Sequence, residues 1–445
     1  MLTLTRPHRQ ALATLALAIF TIAPTIYVIS LACKISRPGH LRDVEFELGR
    51  QLGLQVTLRS VTHPRPGEDV LRGVVFRQEE PRGKSFFEVA RADEVRIFRN
   101  AGELMVEAAG LRLHGEGPRQ AMEQATTLLK RAGDATWKRV GLSAPTCEVE
   151  LGDDGPGGIG YTLREVIADF RLDRGAPAVH ASYRMLGDGP TTRCELTLRR
   201  DRAARPVRTT LAFETKEGLP LPARVLDPFF ATADWLGPDA RVAGALTLSR
   251  AGEAEWEAEF RGDLLGVDLA TLVAARFPDH HLAGTAAIQV RSARWANRGD
   301  GKGAGWVVAE GALTVGPGSI GAGLLRALGK EMQFRLDPRL AAARDADIPF
   351  QDLGLGFAMA GDGRLRLAGD LGTDYPAGAV IGAGVGRTPL AAAPAAATSV
   401  RGLWNALFPQ MAGRAVIVDD PEALRLRNYL PAAPALDSRT VQKAN

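Results

Sequence analysis

Apolar and polar residues alternate with a period of two over most of this chain. In GEAEWEAEFRG (252–262), Ala254, Trp256, Ala258 and Phe260 share one face of an extended strand. Glu253, Glu255, Glu257 and Glu259 share the other. The same texture recurs in TCEVELG, RCELTLRR, TTLAFET, GTAAIQVRS and GRLRLAGDL, and Gly, Pro or Asp breaks such runs along the chain. Such runs predict half-buried antiparallel strands. FQDLGLGFAMAGDGRLRLAGDL, from Phe350, predicts a hairpin around Gly361-Asp362-Gly363.

Helical periodicity is sparse and short. Residues 40–53 follow Pro38-Gly39 and place Leu41, Val44, Leu48 and Leu52 near one face. Further helices are expected at 119–131, 225–236, 269–277, 321–328 and 400–408. Each falls between groups of strands, an order that differs from the strict alternation of a doubly wound parallel sheet. ARVAGALTLSR, HHLAGTAAIQV and VVAEGALTVGP form a weak, irregularly spaced repeat consistent with successive hairpins.

One segment breaks the pattern. Ala11 to Cys33 runs 23 residues without a charge, between Arg6 and Arg9 on one side and Lys34 and Arg37 on the other. That length spans a bilayer core, and it exceeds the apolar region of a cleaved signal peptide. Ser30-Leu31-Ala32-Cys33 is a faint alternative, a lipoprotein processing site with Ser30 where Leu is usual. The expected organisation is a short cytoplasmic tail (1–10), a transmembrane anchor (11–33), an extracytoplasmic β-rich domain (34–386), an Ala/Pro linker (387–399) and a C-terminal helix and tail (400–445). Long domains behind a single anchor translocate with little regard to flanking charge.

Composition narrows the function classes. With 445 residues, 45% of them hydrophobic, the chain can bury a large core. Forty-nine Gly and 27 Pro fit many turns joining many short elements. The net charge is only +4, although the isoelectric point is about 9.1, and this balance argues against nucleic acid as the main partner.

Candidate chemistry is scattered along the chain. Gly316, Gly318 and Gly321 spell G-x-G-x-x-G, with Asp337 downstream. A dinucleotide site would need a preceding strand apolar on both faces, yet Glu310 and Gly311 interrupt it and Pro317 removes a donor from the turn. The cluster Gly382, Gly384 and Gly386 fits that fingerprint less well. The four glutamates of 253–259 read as a solvated strand face rather than a metal site. His280 and His281 are adjacent, so on a strand they point to opposite faces and do not chelate together. Asp345, Asp347 and Asp352 suit turn and cap roles. Cys147 and Cys194 lie in similar strand contexts and are open to two readings, a disulfide or two buried thiols. No catalytic, cofactor or metal constellation is expected. Leu403, Trp404, Leu407 and Phe408 form one apolar face that docks either on the protein's own sheet or on a membrane surface.

Several of these stretches together resemble the AsmA-like family of bacterial envelope proteins, related to the TamB-type bridge proteins. The N-terminal likeness lies in Gly49 to Val56, Leu71 to Phe76 and Val89 to Ile97. The C-terminal likeness lies in Leu313 to Gly321, Leu324 to Leu328, Phe350 to Leu353, Phe357 to Leu371 and Val380 to Val385. It covers roughly residues 10–110 and 240–386; TPLAAAPAAATSV and VRGLWNALFPQ have no counterpart in the family pattern. The resemblance implies a mainly β fold with short helices: an N-terminal transmembrane helix, then an elongated, curved antiparallel β-sheet. It further implies an inner-membrane protein of the periplasm whose apolar groove handles phospholipid or another acyl-chain lipid. A structural scaffold with a closed core is the alternative.

Overall fold

The computed structural model describes residues 37, 39–79, 86–115, 117–131, 137–151, 159–172, 175–186, 191–216, 219–227, 232–251, 255–274, 277, 280–297, 306–342, 346–383 and 388–408. The expected anchor at 11–33 therefore lies outside the described residues, as do the tails 1–10 and 409–445. Among the described residues no helix is long and apolar enough to cross a membrane.

The chain opens with helix α1 (His40–Leu52), ended by Gly53 in the left-handed conformation, whose N–H donates to the Gly49 carbonyl at 2.8 Å. Strands β1 (Gln55–Thr57), β2 (Ser60–Arg65), β3 (Glu68–Glu79), β4 (Phe86–Asn100), β5 (Glu103–Ala109) and β6 (Leu111–His114) follow, then helix α2 (Gly117–Arg131). Five long strands come next: β7 (Arg139–Leu151), β8 (Ile159–Arg171), β9 (Ala178–Leu186), β10 (Thr192–Asp201) and β11 (Arg208–Thr215). After β12 (Leu221–Pro222), a single 3₁₀ turn (Ala223–Leu226) and α3 (Ala233–Leu236) occupy the region expected to be one helix.

The C-terminal half contains β13 (Arg241–Ala251), β14 (Glu255–Asp268), α4 (Leu269–Ala274), β15 (Leu282–Ala283), β16 (Thr285–Asn297), β17 (Trp306–Val315), β18 (Gly318–Gly321) and α5 (Ala322–Met332). It closes with β19 (Arg335–Leu336), β20 (Asp347–Phe350), β21 (Asp352–Met359), β22 (Arg364–Gly369), β23 (Ala379–Gly382), β24 (Pro389–Ala392), β25 (Thr398–Ser399) and α6 (Val400–Leu407).

Twenty-two of these strands form one large curved sheet, and β15, β18 and β20 form a small antiparallel one. In the large sheet β1 and β2 line β3, which pairs with β4; β4 pairs with β5 and β6. The order then runs β7, β8, β9, β10, β11, β13, β14, β16, β17 and β21, and β22 and β23 both pair with β21.

Two expectations need correction. The sheet is mixed rather than wholly antiparallel, because β5 and β6 both run parallel to β7. The cause is α2, a 15-residue crossover that carries the chain back before β7 begins, the connection a parallel pair requires. The Ala/Pro stretch is also no spacer where it is described. Pro389–Ala392 pairs with β23 and β19, Thr398-Ser399 pairs with β22, and Leu390, Ala391 and Ala393 are buried. Leu390, Ala391 and Ala393 belong to the same buried cluster as α5 and α6, so the low complexity of this stretch goes with a packed position.

All the larger helices pack on the same side of the sheet. The apolar stripe of α1 (Leu41, Val44, Leu48, Leu52) covers Val56, Leu71, Val74 and Val95. Met122, Ala125 and Leu129 of α2 cover Val179, Leu198, Phe170 and Leu211. Helices α3 to α6 cover the C-terminal strands, where α5 buries Ala322, Leu324, Leu325 and Met332. Each fully buried leucine or methionine of these helices contributes roughly 1.5–3 kcal/mol of hydrophobic stabilisation. Helix α6 is capped by Ser399, whose Oγ accepts the Gly402 N–H at 3.0 Å. It docks on the protein's own core through Val400, Leu403, Ala406 and Leu407, while Phe408 stacks on Trp404 and meets Phe277 edge-on at 4.8 Å.

Candidate functional site

Strand register defines what the helix-bearing face carries. Directly opposed residues run Leu198, Leu211, Leu248, Ala258 and Trp295 across β10, β11, β13, β14 and β16. The next inward row along β10, β11, β13, β14, β16 and β17 runs Leu196, Phe213, Leu246, Phe260, Ala293 and Ala309. Leu198 is buried under α2, whereas Leu211, Leu246, Leu248, Ala258, Ala293, Trp295 and Ala309 are only half-buried. One step further on, Leu264, Ile288, Leu313 and Leu355 pack beneath the C-terminal helices. The result is an apolar strip, half open to solvent, between α2 on one side and the α3–α6 layer on the other.

A glycine pair marks the inner end of the strip. Gly244 of β13 lies directly opposite Gly262 of β14, with φ of 137° and 155°. A Cβ on either would sit 2.0–2.2 Å from the opposing backbone oxygen, so the strands approach there more closely than any side chain permits.

The other face is polar and laced with ion pairs. Arg72 and Arg96 bracket Glu94, Arg139 and Arg171 bracket Asp169, and Arg294 pairs with Glu257 at 3.1 Å and with Glu259 at 3.8 Å. Glu257 and Glu259 are thus members of a solvated charge ladder; Glu253 lies outside the described residues. Burial pushes the Asp169 carboxyl up, but hydrogen bonds from Arg139 and Arg171 outweigh it and hold the group below the ordinary carboxylate range.

The remaining sequence motifs are scattered over the fold. Gly316 and Gly318 bracket a turn between β17 and β18, and β17 lies between antiparallel neighbours β16 and β21, the opposite of a phosphate-binding βαβ unit. A Cβ at Gly318 would stand 2.1 Å from the Ala283 carbonyl, so this glycine serves the close approach of β15. Asp337 pairs with Arg339. His280 Nε2 is 2.9 Å from the Ala406 carbonyl and His281 Nε2 3.0 Å from Ser319 Oγ, so the two rings serve different neighbours. Asp347 lies near His281 and Asp352 accepts from Tyr375, while Asp345, Gly384 and Gly386 fall outside the described residues. Cys147 and Cys194 are free and buried, and burial pushes both thiols up to about 12. No group of three metal-ligating side chains converges among the described residues.

Two polar constellations emerge only in the folded chain. His40, the first residue of α1, places Nε2 2.9 Å from His63 Nε2, and His63 Nδ1 donates to Asp69 at 2.7 Å, which also pairs with Arg99. Arg200, Thr209 and Arg250 form a row across β10, β11 and β13, and Arg200 Nη1 donates to Thr209 Oγ1 at 3.1 Å. The second has a partial signal in sequence, since RRDRAARPVR (199–208) holds five Arg against one Asp. The first depends on pairing of residues 23 apart.

Compared with known protein families, curated proteins and solved structures, the chain matches none.

Proposed function

We propose that this is a membrane-anchored protein of the bacterial cell envelope, tethered by residues 11–33, that holds the acyl chain of a lipid against the apolar strip of its sheet on the periplasmic side of the inner membrane. The observation that carries this reading is the half-open block Leu246, Leu248, Ala258, Ala293, Trp295 and Ala309. A sheet face of this kind in water favours an apolar cover, and an acyl chain gains about 0.8 kcal/mol per buried methylene. No catalytic step is assigned, and the AsmA-like resemblance supplies the envelope setting.

A second reading has its own support: helices close both flanks of the strip, as a scaffold or assembly factor with a filled core would require. Native mass spectrometry of the full chain, extracted from membranes in mild detergent, separates the two. Lipid handling predicts bound phospholipid that is lost in Leu248→Glu and Ala258→Glu variants retaining wild-type circular dichroism. A lipid-free wild-type protein overturns it.

A further inference from the structure

We propose that Arg200, Thr209 and Arg250 form a headgroup site that selects an anionic phospholipid, with its phosphate held at the rim while its acyl chain lies on the strip. The inference rests on the lipid reading above and adds the class of lipid. It stands on register. Arg200 opposes Thr209, and Thr209 opposes Arg250, on the same face as the Leu198, Leu211 and Leu248 row and two residues beyond it along each strand. Across β10, β11 and β13 the apolar surface therefore ends in a polar row with a hydroxyl between two guanidinium groups, and Trp256 of β14 is the next residue in that row. That order, apolar then cationic, is the mirror of an anionic amphiphile.

Spacing suits a phosphate. Arg200 and Arg250 stand two strands apart, about 10 Å between backbones, within the span that two arginine side chains bridge around one tetrahedral anion. Thr209 Oγ1 already accepts from Arg200, which leaves its hydroxyl proton to donate to a ligand oxygen.

The surroundings are basic on balance. Arg202 donates to the Leu129 and Lys130 carbonyls at 2.9 and 2.8 Å, so it neutralises the negative end of α2 beside the site. Asp201 is occupied by the backbone N–H groups of Ala203 and Ala204. Arg199, Arg205 and Arg208 are exposed around the same hairpin and extend the positive field outward.

The test measures binding of dioleoylphosphatidylglycerol and of dioleoylglycerol, which has the same chains and no phosphate, to the full chain in mild detergent. Inorganic phosphate serves as competitor. The wild type is expected to bind the phosphatidylglycerol about tenfold or more tightly, as charge-assisted hydrogen bonds to a phosphate provide. The double variant Arg200→Gln with Arg250→Gln should lose that preference while still binding dioleoylglycerol, and Arg200→Lys with Arg250→Lys should recover part of it. Equal binding of both lipids by the wild type, or an unchanged preference in the Gln variant, overturns the headgroup site and leaves the strip intact. Displacement of the phosphatidylglycerol by micromolar phosphate also overturns it, identifying a free-anion site. Failure of the wild type to bind either lipid defeats the lipid reading and this site with it.

Discussion

Gly244 and Gly262 face each other across β13 and β14, each with positive φ and each within reach of the other's backbone. The pair sits where the half-open strip gives way to the helix-covered rows of Val242 and Leu264. Sheets curve where side chains are absent and the backbone leaves the ordinary β region.

Replacing either glycine with alanine forces a Cβ into a backbone oxygen. Gly244→Ala and Gly262→Ala should each destabilise the protein by about 1–3 kcal/mol. Urea denaturation of the two variants checks this, and a neutral result at both positions would contradict the close approach of the two strands.

Cys147 and Cys194 should resist thiol reagents at pH 8 in the native state. Their thiols are buried and pushed up to about 12, so little thiolate is present. In a Cys33→Ser background, which removes the remaining cysteine, 5,5′-dithiobis(2-nitrobenzoate) should react only as fast as the protein unfolds. Rapid native-state labelling would contradict their burial.

Asp169 links stability to acid. Its folded-state carboxyl is held below the unfolded value, so its contribution is complete above the unfolded pKa and drains away as pH falls below about 4. Comparing wild type with Asp169→Asn in urea melts at pH 7 and pH 3 should show a stability gap that narrows at the lower pH. A constant gap would indicate that packing, not charge, underlies the loss.

The stretch 389–394 should behave as core. Ala391 is 1% exposed and pairs with both Leu336 and Ile381, so Ala391→Asp places a charge in an apolar layer and should cost about 3 kcal/mol or more. Thermal unfolding measures it; a tolerated aspartate would restore the spacer reading.

Much of the architecture is legible because period-two alternation survives in the long strands: the hairpin around Asp362 and the helix beginning at His40 follow from local pattern alone. Alanine-rich 389–392 resembles a spacer because its small side chains give little contrast between one face and the other, although Leu390 and Ala391 are buried in the C-terminal core. The parallel pairing of β6 with β7 is hidden for another reason. Leu111 and Cys147 pair across 36 residues, and a period-two run looks alike whichever way its neighbour points. The apolar strip is foreshadowed by Ala258 and Phe260. Its rim is foreshadowed on one side alone, by the arginines of 199–208, because Arg200 and Arg250 meet only through the strand between them.

From β7 to β11, each strand pairs with the one before it in the chain. Such a run has no fixed size. Whole hairpins can be gained or lost within it by duplication or deletion while the pairing pattern at either end stays as it is. A protein built this way has a length that evolution can tune in steps of two strands, about 10 Å each.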